Sequence, residues 1–255
     1  MSVTHPPATP EINLVEPSDL RVSLAAGWRD FKRAPLLGLA FSAVYVLGGW
    51  LILWAMTAKG QVWWTLPASA GFPILGPFIA CGFYEISRRL EAGEPLVASE
   101  IFGVIFRQKD RQIPAIAAVI VVYFLFWNFL SHMIFALFLG NATMTNVSSS
   151  LAVFLSPEGL AMLAFGTVVG AVFATLLFSL TVVSLPMLLD REVDFVTAML
   201  TSFALVRENP RVMLSWGALI ATCLFLGMLP GFLGLFLVLP LFGHASWHLY
   251  RRAIT

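Results

Sequence analysis

Charge is scarce in this sequence. Asp, Glu, Lys and Arg make up 11% of the 255 residues, against about 25% in a soluble domain, while 59% are hydrophobic. A water-soluble fold of this length has no core able to hide so much apolar surface. The deficit therefore points to lipid as the solvent. A net charge of +1 gives no bulk attraction to polyanions, so no nucleic-acid partner is expected. Cysteine is also rare. Cys81 and Cys223 both lie inside apolar runs, where they read as small hydrophobes, and two residues at that separation make neither a disulfide framework nor a zinc site. The first 18 residues lack the basic start and apolar stretch of a signal peptide and are expected to be a disordered tail. The chain shows no nucleophile–base pair, nucleotide-binding loop or metal cluster, so neither enzyme activity nor a cofactor is expected.

Long apolar runs fill the rest. Candidate spans are Pro35–Thr57, Trp63–Ile86, Ile113–Leu139, Gly159–Leu189, Val212–Met228 and Pro230–Tyr250, judged against the ~20 residues a helix needs to cross a bilayer. The last two form one apolar stretch, divided by the turn formers Gly227, Pro230 and Gly231. Continuous rather than alternating hydrophobicity argues against a β-barrel. Basic residues alternate with the spans: Arg21, Arg29, Lys32 and Arg33 precede the first. Arg88, Arg89, Arg107, Lys109 and Arg111 follow the second, Arg191, Arg207 and Arg211 follow the fourth, and Arg251 and Arg252 follow the sixth. Of the 15 basic residues, only Lys59 falls on the other side. The positive-inside rule then puts both termini in the cytoplasm. Trp50, Trp54, Trp63 and Trp64 around Lys59 fit an aromatic belt at the outer interface. The outer loop 140–157 carries Asn141-Ala-Thr and Asn146-Val-Ser, which match the glycosylation pattern and are read as chance matches.

The cytoplasmic segments resemble one another. Residues 24–35, 100–114 and 198–210 each combine a short helical pattern, a polar or basic patch and a Pro at or near the start of a span, where its missing N–H costs nothing. Leu24, Trp28 and Phe31 share one helical face, as do Leu200, Phe203 and Val206. Such helices suit the membrane interface. The expected unit is interfacial helix, span, span, used three times over 19–97, 98–194 and 195–255. The fold class is thus an all-α, polytopic membrane protein. Its six transmembrane helices form three helical hairpins, each preceded by an interfacial amphipathic helix, in a single domain over residues 19–255.

Ionisable and polar groups inside spans are costly and draw attention by default. The possible intramembrane polar site comprises Asn128, His132, Glu85, Arg89, Asp190 and His244. Glu85 and Arg89 stand i,i+4 and are expected to pair, and Asp190 is expected to pair with Arg191. Asn128 and His132 share a face. His244 and His248 also have metal-compatible spacing, but His132 lies too far along its span to meet them over one haem. Gly166, Gly170 and Ala174 form a small-residue row expected to serve helix packing. Pro73, Pro77, Pro186 and Pro240 are expected kinks, which elsewhere can open transporter sites.

Several of these stretches carry a family likeness. Ala25-Ala-Gly-Trp-Arg-Asp-Phe31, Tyr45-Val-Leu-Gly-Gly49, Gly76-Pro-Phe78, Tyr84-Glu-Ile-Ser-Arg-Arg-Leu-Glu-Ala-Gly-Glu-Pro95, Ser184-Leu-Pro-Met-Leu-Leu-Asp-Arg191 and Asn209-Pro210 resemble a bacterial integral-membrane family catalogued as domain of unknown function 2189. The resemblance runs from about Leu20 to Tyr250. It implies a bacterial inner (plasma) membrane location and brings no activity, cofactor or catalytic residue with it. The expected role is that of a non-enzymatic accessory or scaffold protein, acting through helix packing and through contact with the lipid bilayer or a membrane-protein partner. The alternative is a carrier or permease for a small or lipid-like molecule.

Overall fold

The computed structural model describes residues 10–59, 65–108, 112–140 and 154–255, with side chains left undescribed at 55–59, 65–75 and 105–108. Trp63, Trp64, Asn141, Asn146, Lys109 and Arg111 lie outside the described residues. So do the side chains of Lys59, Pro73 and Arg107.

The chain is all-helical. Ten helices occur among the described residues: α1 Pro17–Arg33, α2 Pro35–Lys59, α3 Thr65–Ala92, α4 Ala98–Gln108, α5 Ile113–Leu139, α6 Pro157–Thr181, α7 Ser184–Asp190, α8 Phe195–Glu208, α9 Pro210–Met228 and α10 Leu235–Ala253. Among the described residues four stretches are long and apolar enough to cross a membrane: Pro35–Trp54, Ile113–Leu139, Pro157–Asp190 and Pro210–Met228. The expected interfacial helices correspond to α1, α4 and α8. The fourth run is not one helix. It breaks at Val182–Val183, three residues ahead of Pro186. Pro186 has no N–H to give the preceding turn, and the Val183 N–H freed at the break donates to Ser202 Oγ of α8 at 3.3 Å. The sixth run also differs from expectation. Residues 229–234 form a turn, with Gly231 and Phe232 in the left-handed region at φ +62° and +67°, and α10 starts only at Leu235. The Phe232 ring lies flat on Gly49 of α2, leaving no room for a side chain there, and the Trp50 indole N–H donates to the Gly231 carbonyl at 2.7 Å.

Burial is uneven. The four membrane-compatible stretches have only 17–28% of their most apolar windows covered by protein. The core instead collects where α1, α7, α8 and the last turns of α3 and α10 meet. It includes Tyr84, Met187, Leu205, Met213, Trp216, Trp247, Leu249 and Tyr250. This charged end holds α3 and α10 at its centre, with α1 laid along α10. At their contact a methyl on Gly27 would sit 2.6 Å from the Ala245 backbone nitrogen. Helices that touch protein rather than lipid can carry polar side chains. That explains why α10, with His244, Ser246 and His248 in its sequence, is not among the membrane-compatible stretches.

The tail expectation needs correction for residues 10–18. Ile12 and Ile254 form an antiparallel bridge, with Glu11 and Thr255 exchanging both backbone hydrogen bonds at 3.1 Å. Asn209 Oδ1 accepts the Val15 N–H at 2.9 Å. These bonds satisfy backbone groups that an unfolded tail would leave to water, and α1 starts at Pro17 behind a reciprocal Glu16–Asp19 capping box.

The helical joints repeat. α1 meets α2 at Ala34 (φ −132°, ψ 49°), and α8 meets α9 at Asn209 (φ −122°, ψ 51°). Each joint residue returns its N–H to the helix before it, to Asp30 and Leu205 respectively, and each is followed by Pro. A residue before Pro avoids the helical region, so the same dipeptide logic produces the same elbow. The entry to α5 differs: Gln112 stays helical at φ −85°, ψ −15°.

Candidate functional site

The densest polar cluster sits at the meeting of α1, α3 and α10. Asp30 is buried on the same face of α1, one turn beyond Gly27, and its Oδ2 lies 2.7 Å from His248 Nε2. Ser87 Oγ lies 2.9 Å from His244 Nδ1 and also bonds Asp30. His244 Nδ1 is 3.2 Å from the Phe83 carbonyl. The donor and acceptor roles follow from the inventory of groups. An ionised Asp30 only accepts, so Ser87 O–H and His248 Nε2–H donate to it. Ser87 Oγ is then free to accept from His244 Nδ1–H. His244 Nε2 is left as a lone pair with no partner, in a residue with no exposed surface. Burial opposes ionisation of Asp30, but the hydrogen bonds from His248 and Ser87 outweigh it and hold the carboxyl below its ordinary range.

Chemically, this is a hydrogen-bonded chain of four side chains from three helices: His244, Ser87, Asp30 and His248. Ser87 has no exposed surface, so its hydroxyl is out of reach of a substrate. The chain ties α1 and α3 to α10 and ends at a half-buried imidazole.

A ring of ion pairs surrounds it. Glu85 takes bidentate bonds from Arg88 at 2.8 and 3.1 Å and a bond from Arg89 Nε at 2.7 Å. Arg89 also reaches Glu100 at 2.7 Å and the Pro95 carbonyl at 3.0 Å, which pins α4 and its lead-in to the end of α3. The expected Glu85–Arg89 pair is therefore present, with Arg88 added. The expected Asp190–Arg191 pair is not. Asp190 accepts from the Tyr250 hydroxyl at 2.7 Å and from Arg251 at 3.3 Å. Arg191 bonds the same hydroxyl at 3.0 Å and the carbonyls of Ile254 and Thr255. The reason is local: α7 stops at Asp190, and the extended Arg191 (φ −126°, ψ 151°) points its side chain away from its neighbour toward the C-terminus. Glu91 links α3 to α10 by accepting from Trp247 Nε1 at 2.8 Å.

The six polar candidates thus divide into two sets. Glu85, Arg89, Asp190 and His244 gather at the charged end. Asn128 and His132 lie on α5, His132 ~28 Å along the helix axis from Ile113. His132 Nδ1 turns back to the Asn128 carbonyl at 2.7 Å, a bond within its own helix. The His132 side chain lines a cleft of about 350 Å³ between α5 and α6, with Trp127, Phe135, Met162, Gly166 and Thr167. The small-residue row does not pack uniformly. A methyl on Gly170 would sit 3.2 Å from the Trp127 ring, one on Gly166 would meet nothing within 4 Å, and Ala174 lines a second cleft of about 460 Å³ beside Tyr123 and Phe173. Bulky rings on α5 hold the two helices apart where small residues alone would let them close. Among the proline positions, α3 runs unbroken through Pro73 and Pro77, α10 contains Pro240 against Gly38 of α2, and only Pro186 accompanies a break.

Asp30, Ser87 and Gly27 were not singled out by the sequence. Their signal was faint: an Asp three residues after a mid-helix Gly, both on the narrow small-residue stripe Ser23, Ala26, Gly27, Asp30 that α1 buries. Large apolar residues of these helices are also exposed: Trp28 is 42% exposed on α1, and Leu200 61% and Phe203 39% on α8. The buried side of α8 is not made of small residues alone, because Leu205 and Val206 lie there with Ala198 and Ser202.

Residues 65–190 match the sequence model of a family described as predicted integral membrane protein (DUF2189). No curated protein and no solved structure matches the chain.

Proposed function

We propose that this chain is a non-enzymatic accessory or scaffold protein of the bacterial inner membrane, acting through contacts of its spans with a partner protein and with lipid. In this reading it crosses the bilayer six times as three helical hairpins, each with its interfacial helix, α3 and α10 being the crossings shielded by protein. Both termini and the charged end face the cytoplasm, in keeping with the basic loops. The observation that carries the proposal is how the polar side chains are used. Those of the charged end bond one another across α1, α3, α7 and α10, while apolar surface is left open on the four membrane-compatible stretches, the α5–α6 pair with its clefts among them. Val122, Phe129, Leu137, Val168 and Val172 are each more than 60% exposed there, as large apolar side chains are where lipid or a partner is met. A carrier would bring its polar groups to one cavity near mid-membrane, whereas Asn128 and His132 stand apart from the rest.

The scaffold role is tested by a photo-crosslinking residue at Phe129 or Val172 in cells, followed by mass spectrometry. The expected result is a discrete protein adduct from the hairpin. Adducts to lipid alone from both positions would overturn it. Orientation is tested with single cysteines at Glu94 and Glu158 and an impermeant thiol reagent on intact cells. Glu158→Cys is expected to react and Glu94→Cys to react only after lysis.

A further inference from the structure

The exposed side of α1 carries an arrangement that the scaffold reading does not use. Arg21, Arg29, Lys32 and Arg33 lie on one stripe of the helix, since 29, 32 and 33 are related by i,i+3 and i,i+4 and Arg21 is two turns earlier. All four are exposed. The acids of α1 are engaged elsewhere: Asp19 with Arg252 at 3.0 Å and Asp30 with His248 at 2.7 Å. Among the described residues none of the four cations has a carboxylate within ion-pair distance.

Apolar side chains frame the cations. Trp28 is exposed beside them, with the Lys32 ammonium 5.8 Å from its ring centroid. Leu36, 80% exposed, follows at the first turn of α2. Because Pro35 opens a membrane-compatible stretch, Lys32 and Arg33 stand where a crossing helix enters the bilayer, at the depth of phosphate groups. Tryptophan favours that depth too, with its body in the acyl boundary and its N–H toward the headgroups. The stripe cannot rotate away. A close backbone contact at Gly27 and the Asp30–His248 bond fix the opposite face of α1 on α10.

We propose that this face of α1 is a seat for an anionic phospholipid. Arg29, Lys32 and Arg33 bind the phosphodiester and its negative headgroup, and Trp28 and Leu36 lie against the acyl chains. The choice of an anionic lipid over a zwitterionic one rests on charge complementarity: three adjacent cations have no counter-charge among the described residues, and a zwitterionic headgroup would bring its own cation among them. The seat deepens the lipid contact proposed above and rests on the reading of α2 as a crossing helix. It does not depend on a protein partner at the α5–α6 hairpin, so loss of one leaves the other standing.

The test is native mass spectrometry of the full chain, purified in a non-ionic detergent and titrated with equal amounts of phosphatidylglycerol and phosphatidylcholine. Each cation near an anionic surface strengthens binding about five-fold. The wild type is therefore expected to retain phosphatidylglycerol preferentially, and R29Q/K32Q/R33Q to lose that preference by about ten-fold or more. R29K/R33K keeps the charge and is expected to keep the preference. W28A is expected to weaken retention of both lipids. The control R207Q/R211Q removes two exposed cations from the α8–α9 elbow and is expected to leave the preference intact. The proposal is overturned if the triple variant retains phosphatidylglycerol as the wild type does, if the control loses as much, or if millimolar inorganic phosphate displaces the bound lipid. The positions are exposed, and an unchanged thermal midpoint of the triple variant shows that a loss of lipid is not a loss of fold.

Discussion

Gly27 and Gly166 each lie near the middle of a helix, and their surroundings are opposite. A methyl group on Gly27 would meet the backbone of α10 at 2.6 and 2.8 Å, whereas one on Gly166 would meet nothing within 4 Å. The first glycine belongs to the charged end, where α1, α3, α7, α8 and α10 meet around a buried core and their polar groups close on one another. The second belongs to the α5–α6 hairpin, where most of the helical surface is apolar and uncovered. The comparison shows two ways in which a membrane chain spends its side chains. At one end small residues and ion pairs fix helices to helices, and along the hairpin large apolar residues face outward over clefts that protein does not fill.

The sharpest way to break the comparison is to disturb the charged end. Replacing Glu85 with Ala leaves Arg89, itself 9% exposed at the side chain, without one of its two carboxylate partners at 2.7 Å and the only buried one of the two. Removing one member of a buried pair costs about 3–5 kcal/mol, so the variant is expected to show a large fall in thermal midpoint in detergent, and E85A/R89M a smaller one. Gly27→Val forces α1 from α10 and is expected to cost about 3 kcal/mol, the upper range of overpacking, because the obstructing atoms are backbone. The matching substitution on the hairpin, Gly166→Ala, is expected to change the midpoint little or raise it, by up to about 1 kcal/mol. A hairpin variant that destabilised as much as the Gly27 one would erase the distinction.

Asp30 offers a finer probe through pH. Its carboxyl is held below the ordinary Asp value of 3.8 in the folded chain. The unfolded state therefore binds the proton more readily, and the stability due to this tie is whole above pH 4 and lost as pH falls through the lowered value. Wild type and Asp30→Asn are expected to converge in thermal midpoint as the pH drops below 4 and to differ most at neutral pH. There the loss of a buried charge-assisted bond is worth about 2 kcal/mol. A gap that did not narrow on acidification would show that Asp30 is not ionised in the folded chain. The smallest effect is expected from Trp50→Phe, which removes the 2.7 Å bond to the Gly231 carbonyl at about 1 kcal/mol and leaves the turn in place through Phe232 on Gly49.

Much of the architecture was legible in the sequence, because hydrophobic length and loop charge are local signals. Ile113–Leu139 has the expected ends, helices occupy the three Pro-terminated segments, and Glu85 and Arg89 pair at their i,i+4 spacing. What escaped was long-range. Asp30 and His248 are 218 residues apart, and no periodicity within α1 announces a partner on α10. The face expected on α8 is also divided. Leu200 and Phe203 are exposed, as a helix at the membrane interface requires, whereas Val206 of the same expected face is buried against protein. Asp190 misled for a related reason: the adjacent Arg191 suggested a local pair, while the extended backbone after α7 and the nearby Tyr250 and Arg251 determined the actual contacts. The elbows at Ala34 and Asn209 are the exception, a long-range resemblance visible in sequence because each is set by the Pro that follows.

The central claim is that the hairpin faces lipid while the charged end stands in water at one membrane face. Site-directed spin labels report this directly. With Cys81 and Cys223 replaced by Ala, single labels at Val122, Phe129, Leu137 and Val172 are expected to collide with oxygen and to be shielded from a water-soluble nickel complex. Labels at Glu94 and Glu208 are expected to show the reverse. Hairpin labels reached by nickel, or closed to both quenchers as in a protein core, would contradict the account.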